Sequence, residues 1–308
     1  MDPKLIGTYK RGELTVLHDP AVMTKVVKAL RSVGRRVALV PTMGALHEGH
    51  LELVRLAKLT NTTVIVSIFV NPLQFGANED LDKYPRTLDA DVELLRGEGV
   101  ELVFAPSAQD MYPFGTRTTV QAGPDGDILE GATRPGHFSG VLTVVSKLFN
   151  ICQPHEAFFG EKDYQQLALI RQMVVDLNMD VKIVPAATVR EADGLAKSSR
   201  NRYLSAEERE LATTLSAALL AGRHAAGRGP EAVLETAQSV LDLAPDIQVD
   251  YLALRGADFS EQWPTGNARL LVAARVGTTR LIDNMPVSIG KPLDGHPTAP
   301  DQPAQAAL

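Results

Sequence analysis

Short, continuous apolar runs alternate with stretches in which apolar residues recur every three or four positions, and this alternation sets the first part of the chain. The runs are Arg36–Val40, Thr63–Val70, Leu102–Phe104, Ala157–Phe159 and Val181–Val184. Each is β-branched or aromatic enough for a strand covered on both faces. The periodic stretches are Val22–Val33, Leu51–Lys58, Leu88–Arg96, Val141–Ile151 and the segment from Tyr164 to Leu177. They predict amphipathic helices, the first ended by Gly34. Strands alternating with helices at this spacing predict a Rossmann-like, doubly wound parallel sheet in residues 1–188. Residues 1–20 read as a loose lead-in, and a further strand is expected near Thr118–Gln121. After the sheet the rhythm changes. Two helices, about Ser205–Gly227 and Glu231–Leu243, precede strand-like segments at Gln248–Arg255, Arg269–Arg275 and Thr279–Ile282. This predicts a smaller α+β domain over 189–290. The tail from Lys291, with prolines at 292, 297, 300 and 303, is expected to be disordered.

Composition narrows the function classes. A chain of 308 residues with 44% hydrophobic and 22% charged residues has the make-up of a soluble globular protein. Its net charge of −6 argues against nucleic acid as the main partner. No apolar run is long enough to span a bilayer, and the start lacks a signal-peptide core, so no membrane is expected. The single cysteine, Cys152, sits in apolar company, which fits a reducing, cytoplasmic setting.

Candidate chemistry gathers where strands end. Pro41-Thr42-Met43-Gly44-Ala45-Leu46-His47-Glu48-Gly49-His50 joins the first long apolar run to a helix. Its glycines allow a sharp turn, and a helix starting near Gly49 offers unpaired N–H groups to an anion. His47 and His50, three apart, can face the same way. The pair suits a phosphate chain; it also suits a helix cap or, with a third ligand, a zinc ion. Asn71 and Gln74 follow the next strand, and residues 76–86 read as a polar loop that could act as a lid. A second strand–glycine–helix turn, Gly160-Glu161-Lys162-Asp163, places a cation and a carboxylate at another strand end, with Gln166 one turn further on. Ser198, Ser199 and Arg200 form a hydroxylic, basic loop suited to wrapping a triphosphate, or to linking domains. Arg134 and His137 could meet a carboxylate or phosphate, or stand in solvent.

Taken together, these strings carry a resemblance. PTMGALHEGH resembles the H-x-G-H signature of the nucleotidyltransferases, and KSSRN their second phosphate loop. With VSIFVNPLQF, YPRT, EGATRPGHF, FFGEKDYQQL and DGLAKSSRNRYL in this order, the chain is similar to the pantoate–β-alanine ligases from about Val22 to Val287. The resemblance implies condensation of (R)-pantoate with β-alanine, driven by ATP with Mg²⁺ through a pantoyl adenylate, in a cytoplasmic homodimer that uses no nucleic acid. It implies that residues 1–188 bind ATP and pantoate, that 189–290 act as a lid, and that His47, His50 and Lys162 are catalytic on the phosphates. It assigns ATP binding to Met43, Gly160, Lys162, Asp163, Val189, Ser198, Ser199 and Arg200, and pantoate binding to Met43, Gln74 and Gln166. Asn71, Tyr84, Arg134 and His137 match the rim. Ala90 stands where the family often has a further acid, which leaves Asp91 as the candidate metal ligand. Two other classes compete: a nucleotidyltransferase acting on a phosphorylated substrate, which should have cations in place of Gln74 and Gln166, and a non-catalytic ATP sensor, which has no need of so many phosphate ligands.

Overall fold

The computed structural model describes residues 9–10, 12–60, 63–76, 81, 84–260 and 266–290. Most of the expected lid loop and the whole proline-rich tail lie outside the described residues. The chain divides after Tyr203 into two compact units. The basic loop 189–203 therefore belongs with the first unit, whereas the sequence boundary expected at 188 assigned it to the second.

In the first unit, six parallel strands are ordered β1-β4-β3-β2-β5-β6: β1 Thr15–Leu17, β2 Val37–Thr42, β3 Thr63–Ile68, β4 Leu102–Phe104, β5 Glu156–Gly160 and β6 Lys182–Ala186. Strand β1 corrects the lead-in reading. It pairs with β4 (Thr15 with Leu102, Leu17 with Phe104) and is three residues long, too short for a period to register. No strand forms at Thr118–Gln121. There the N–H of Val120 bonds the Thr143 hydroxyl, 3.0 Å away, instead of a ladder partner. Strands β2 and β3 run six pairs in register from Val37–Thr63 to Thr42–Ile68. Their residues Val37–Val40 and Val64–Val66 are buried, because both faces of the sheet are covered.

The covering helices are α1 Pro20–Ser32, α2 Glu48–Lys58, α3 Leu88–Gly97, α6 His137–Cys152 and α7 Tyr164–Asp176; the four-residue turns α4 Ala108–Met111 and α5 Glu130–Thr133 lie in the connections. Helix α1 starts at Asp19, whose carboxylate accepts from the N–H of Ala21 (2.6 Å) and Val22 (3.1 Å), with Pro20 at the position where a missing N–H costs nothing. It buries Met23, Val26, Val27 and Leu30. Helix α6 begins at His137, four residues before its predicted start. It packs so closely on the 3₁₀ turn Pro72–Gln74 that a Cβ at Gly140 would stand 2.2 Å from the Leu73 carbonyl oxygen.

The second unit has helices α8 Ala206–His224 and α9 Pro230–Leu241 and an antiparallel sheet, β7 Ile247–Gly256, β8 Gly266–Val276 and β9 Thr279–Ile289, in that order. Ser205 and Glu208 cap α8 reciprocally. No helix among the described residues is long and apolar enough to cross a membrane.

Candidate active site

Strand order reverses between β2 and β5: the chain moves outward through β3 and β4 on one side and through β6 on the other. A crevice opens at the carboxyl ends of the strands at such a reversal. The two turns singled out in the sequence leave β2 and β5, so they flank this point.

The first turn is held from below. Gly44 (φ +87°) and Ala45 (φ +51°) are both left-handed, which aims consecutive N–H groups at one spot. The Asp91 carboxylate occupies it, accepting from Ala45 N–H at 3.0 Å and Leu46 N–H at 2.8 Å, while the Thr87 hydroxyl donates to it at 3.1 Å. A Cβ on Gly44 would lie 3.1 Å from that carboxylate. Asp91 is only 2% exposed. The metal role expected of it does not fit: both oxygens are already bonded inside the fold, and no group of three metal-ligating side chains occurs among the described residues.

His47 then caps α2. Its Nδ1 accepts from Gly49 N–H at 3.1 Å, and the Nδ1 of His50 accepts from His47 N–H at 3.3 Å. A ring nitrogen that accepts a backbone N–H carries no proton, so these bonds assign the neutral Nε2–H form to both rings. Their centroids are 4.1 Å apart. Burial, followed by the nearby cations Lys162, Lys197 and Arg202, lowers the pKa of His47. Burial and then His47 push His50 down to about 3, against the opposing pull of Asp163. At neutral pH the pair thus presents two uncharged N–H donors at a helix N-terminus. That suits an anion and, with Nδ1 occupied in both rings, disfavours the zinc reading.

The second turn, Glu161–Asp163, is a 3₁₀ segment that runs into α7 from Gly160. Asp163 is exposed to solvent; partial desolvation acts to raise its pKa but is outweighed by Lys162, Arg200, His137 and Arg134, which hold the carboxyl below its ordinary range. Gln166 is half-buried in the first turn of α7. Its neighbour Gln165, overlooked in the sequence, bonds the N–H of Glu130 and the carbonyls of Asp125 and Ile128 and so anchors the 125–130 segment.

The basic loop folds back on itself before reaching the site. Lys197 N–H bonds the Val189 carbonyl at 2.9 Å, and Glu191 N–H the Leu195 carbonyl at 2.8 Å, so residues 189–197 form a closed turn. Ser198 Oγ accepts from Arg200 N–H at 3.2 Å, and a 3₁₀ turn spans Ser199–Tyr203. Lys197, Arg200 and Arg202 all act on His47, Asp163 or Tyr84. Lys197 and Arg202 thus join Arg200, the loop cation expected at the site. Tyr84 is half-buried, its ring edge-on to Phe75 at 5.9 Å, and burial raises its pKa.

Of the residues expected at the rim, Asn71 and His137 are interior, 1% and 8% exposed. Asn71 Nδ2 donates to Gln74 Oε1 (3.2 Å) and to the Gly140 carbonyl (3.1 Å); Gln74 Nε2 reaches Met43 Sδ at 3.3 Å. His137 Nδ1 and Arg134 hold the Gln74 carbonyl at 2.9 and 3.3 Å. Burial explains their conduct, since an interior amide must find partners. The structure brings together His47, His50, Lys162, Asp163 and Arg200 as one charged cluster, and Met43, Asn71, Gln74, Arg134 and His137 as one hydrogen-bonded group.

Residues 15–286 match the family model for pantoate-beta-alanine ligase. The chain belongs to the pantoate–β-alanine ligase family. It is 68% identical over 306 residues to the pantothenate synthetase of Nocardia farcinica, covering 99% of this chain and 96% of the relative. With that of Rhodococcus jostii it shares 65% over 303 residues, 98% and 97% of the two chains. Among solved structures, the pantothenate synthetase of Thermus thermophilus superposes with a TM-score of 0.80 at 46% identity, over 88% of this chain and 98% of that one. A Francisella tularensis pantoate-beta-alanine ligase, complexed with a β,γ-ATP compound and β-alanine, gives 0.73 at 36% identity over 88% and 97%. With the family shown, the phosphorylated-substrate reading falls.

Proposed function

We propose that this chain condenses (R)-pantoate with β-alanine at the expense of ATP, through a pantoyl adenylate, releasing AMP and pyrophosphate. The single observation that carries the reading is the neutral, backbone-capped His47–His50 pair at the start of α2, facing Lys162 and the cations of the 197–202 loop. A carboxylate attacking the α-phosphate builds negative charge on phosphorus oxygens, and fixed donors and cations placed there stabilise it without rearranging. His47, His50 and Lys162 take the phosphates in this proposal, with Ser198, Ser199 and Arg200 closing over them. Asp163, held ionised, and Gly160 take the ribose; Val189 lies beside the adenine. Gln74 and Gln166, next to Met43, hold pantoate. The second step is attack of the β-alanine amine on the acyl carbon, with AMP as leaving group. Magnesium would arrive bound to the nucleotide and would offset negative charge on its phosphates.

A homodimer in the cytoplasm completes the proposal. The homodimer rests on the resemblance, and the buried free thiol of Cys152 supports a reducing compartment. Static light scattering should give twice the chain mass.

Pyrophosphate release from Mg-ATP and (R)-pantoate, followed with and without β-alanine, tests the chemistry. A stoichiometric burst without amine, and turnover to AMP and pantothenate with it, is the expected result. Absence of pyrophosphate in both conditions overturns the reading.

A further inference from the structure

We propose that Tyr112 is a positioning residue that sets which face of the Gln74 amide the substrate meets; this rests on Gln74 as a pantoate ligand. Tyr112 follows the α4 turn, its ring 6.3 Å from that of Phe69 and 5.4 Å beneath the Lys147 ammonium of α6. Its hydroxyl donates to Asn71 Oδ1 at 2.8 Å. The Leu73 N–H, at 3.4 Å, points to the same oxygen. Two donors on one side fix Asn71 with its oxygen toward Tyr112 and its NH₂ away from it. That NH₂ meets two acceptors, the Gly140 carbonyl and Gln74 Oε1. With Oε1 accepting from Asn71, the Gln74 NH₂ is the end that meets Met43 Sδ, at 3.3 Å.

An amide left to itself can flip, presenting a donor or an acceptor with nearly equal shape. The chain Tyr112–Asn71–Gln74 removes that choice, so the site offers N–H donors to a ligand rich in acceptor oxygens, such as a hydroxy acid. The relay needs a phenol that stays protonated, and burial raises the Tyr112 pKa to about 12. Its donor role therefore holds through the whole working pH range.

Tyr112→Phe keeps the ring packing and deletes only the donor. We expect it to raise the pantoate KM about five- to tenfold, the size of one lost hydrogen bond, with the ATP KM unchanged. In a Gln74→Ala background the same substitution should add less than about twofold, because the relay no longer has an end to orient. A Tyr112→Phe pantoate KM equal to the parent's overturns the proposal, as does an equal penalty in both backgrounds. A parent protein that turns over no pantoate would instead sink the functional reading beneath it.

Discussion

His47 and His50 each commit one ring nitrogen to the backbone of the same helix start, which leaves the other nitrogen as a donor of fixed direction. Truncating His47 to alanine should therefore slow single-turnover adenylate formation about 10²–10³-fold, while ATP binding changes only a few-fold. An unaltered single-turnover rate would remove His47 from the chemistry. His50 also makes the fold sensitive to acid. Its folded pKa is lowered from 6.5 to about 3, so the unfolded chain takes up this proton first as pH falls. The stability that depends on neutral His50 is complete above pH 6.5 and is lost progressively between there and about 3. His50→Gln keeps an acceptor for the His47 N–H and cannot titrate. Its melting temperature should fall less than the parent's between about pH 7 and about pH 4.5, and equal falls would contradict the shift. Asp91 is the third residue with a sharp test. As a brace for Ala45 and Leu46, its replacement by asparagine places an NH₂ against backbone donors and should cut kcat about tenfold or more, on the scale of a displaced catalytic group. The magnesium dependence should keep its midpoint; a shifted midpoint would restore Asp91 to the metal.

Among the elements, α6 shows how much of the site depends on contacts that no local pattern reveals. Gly140 admits the Pro72–Gln74 turn to within backbone contact, and any side chain there must push the turn away. Gly140→Ala should destabilise the fold by about 1–3 kcal/mol, as overpacking does, and should raise the pantoate KM while sparing that for ATP. A denaturation midpoint and two KM values decide it. The Pro41–His50 turn was legible because all of its signals fall close together between Arg36 and His50: strand, glycine, cap and paired histidines. The Gly160–Asp163 turn was legible for the same reason. Asn71 was misjudged as rim because its partners, Tyr112 and Gly140, are 41 and 69 residues away. Asp91 resembled a metal ligand because one acidic residue on a helix start looks the same whether its oxygens meet a cation or the N–H groups of a loop 45 residues earlier. Strand β1 has three residues, and three residues hold no period.

For the whole molecule, the division after Tyr203 carries a consequence for how binding and turnover separate. Every member of the charged cluster, His47, His50, Lys162, Asp163 and Arg200, lies in the first unit, together with all six parallel strands and their own buried core. The second unit has an antiparallel sheet whose strands β7, β8 and β9 pair only with each other among the described residues, so its hydrogen bonding is self-contained. A fragment ending at Tyr203 should therefore fold, with the far-UV signature of an α/β sheet, and should bind an ATP analogue within about tenfold of the full chain, a coupling within the usual range between sites. If residues 189–290 act as the lid that the resemblance implies, the same fragment, which keeps only 189–203 of them, should lose most of its pantoate-dependent pyrophosphate release. Binding kept and turnover lost supports the lid. Both kept would mean that the first unit is the complete catalyst and that the second serves some other end. Binding lost from a folded fragment would mean that the nucleotide needs groups beyond Tyr203.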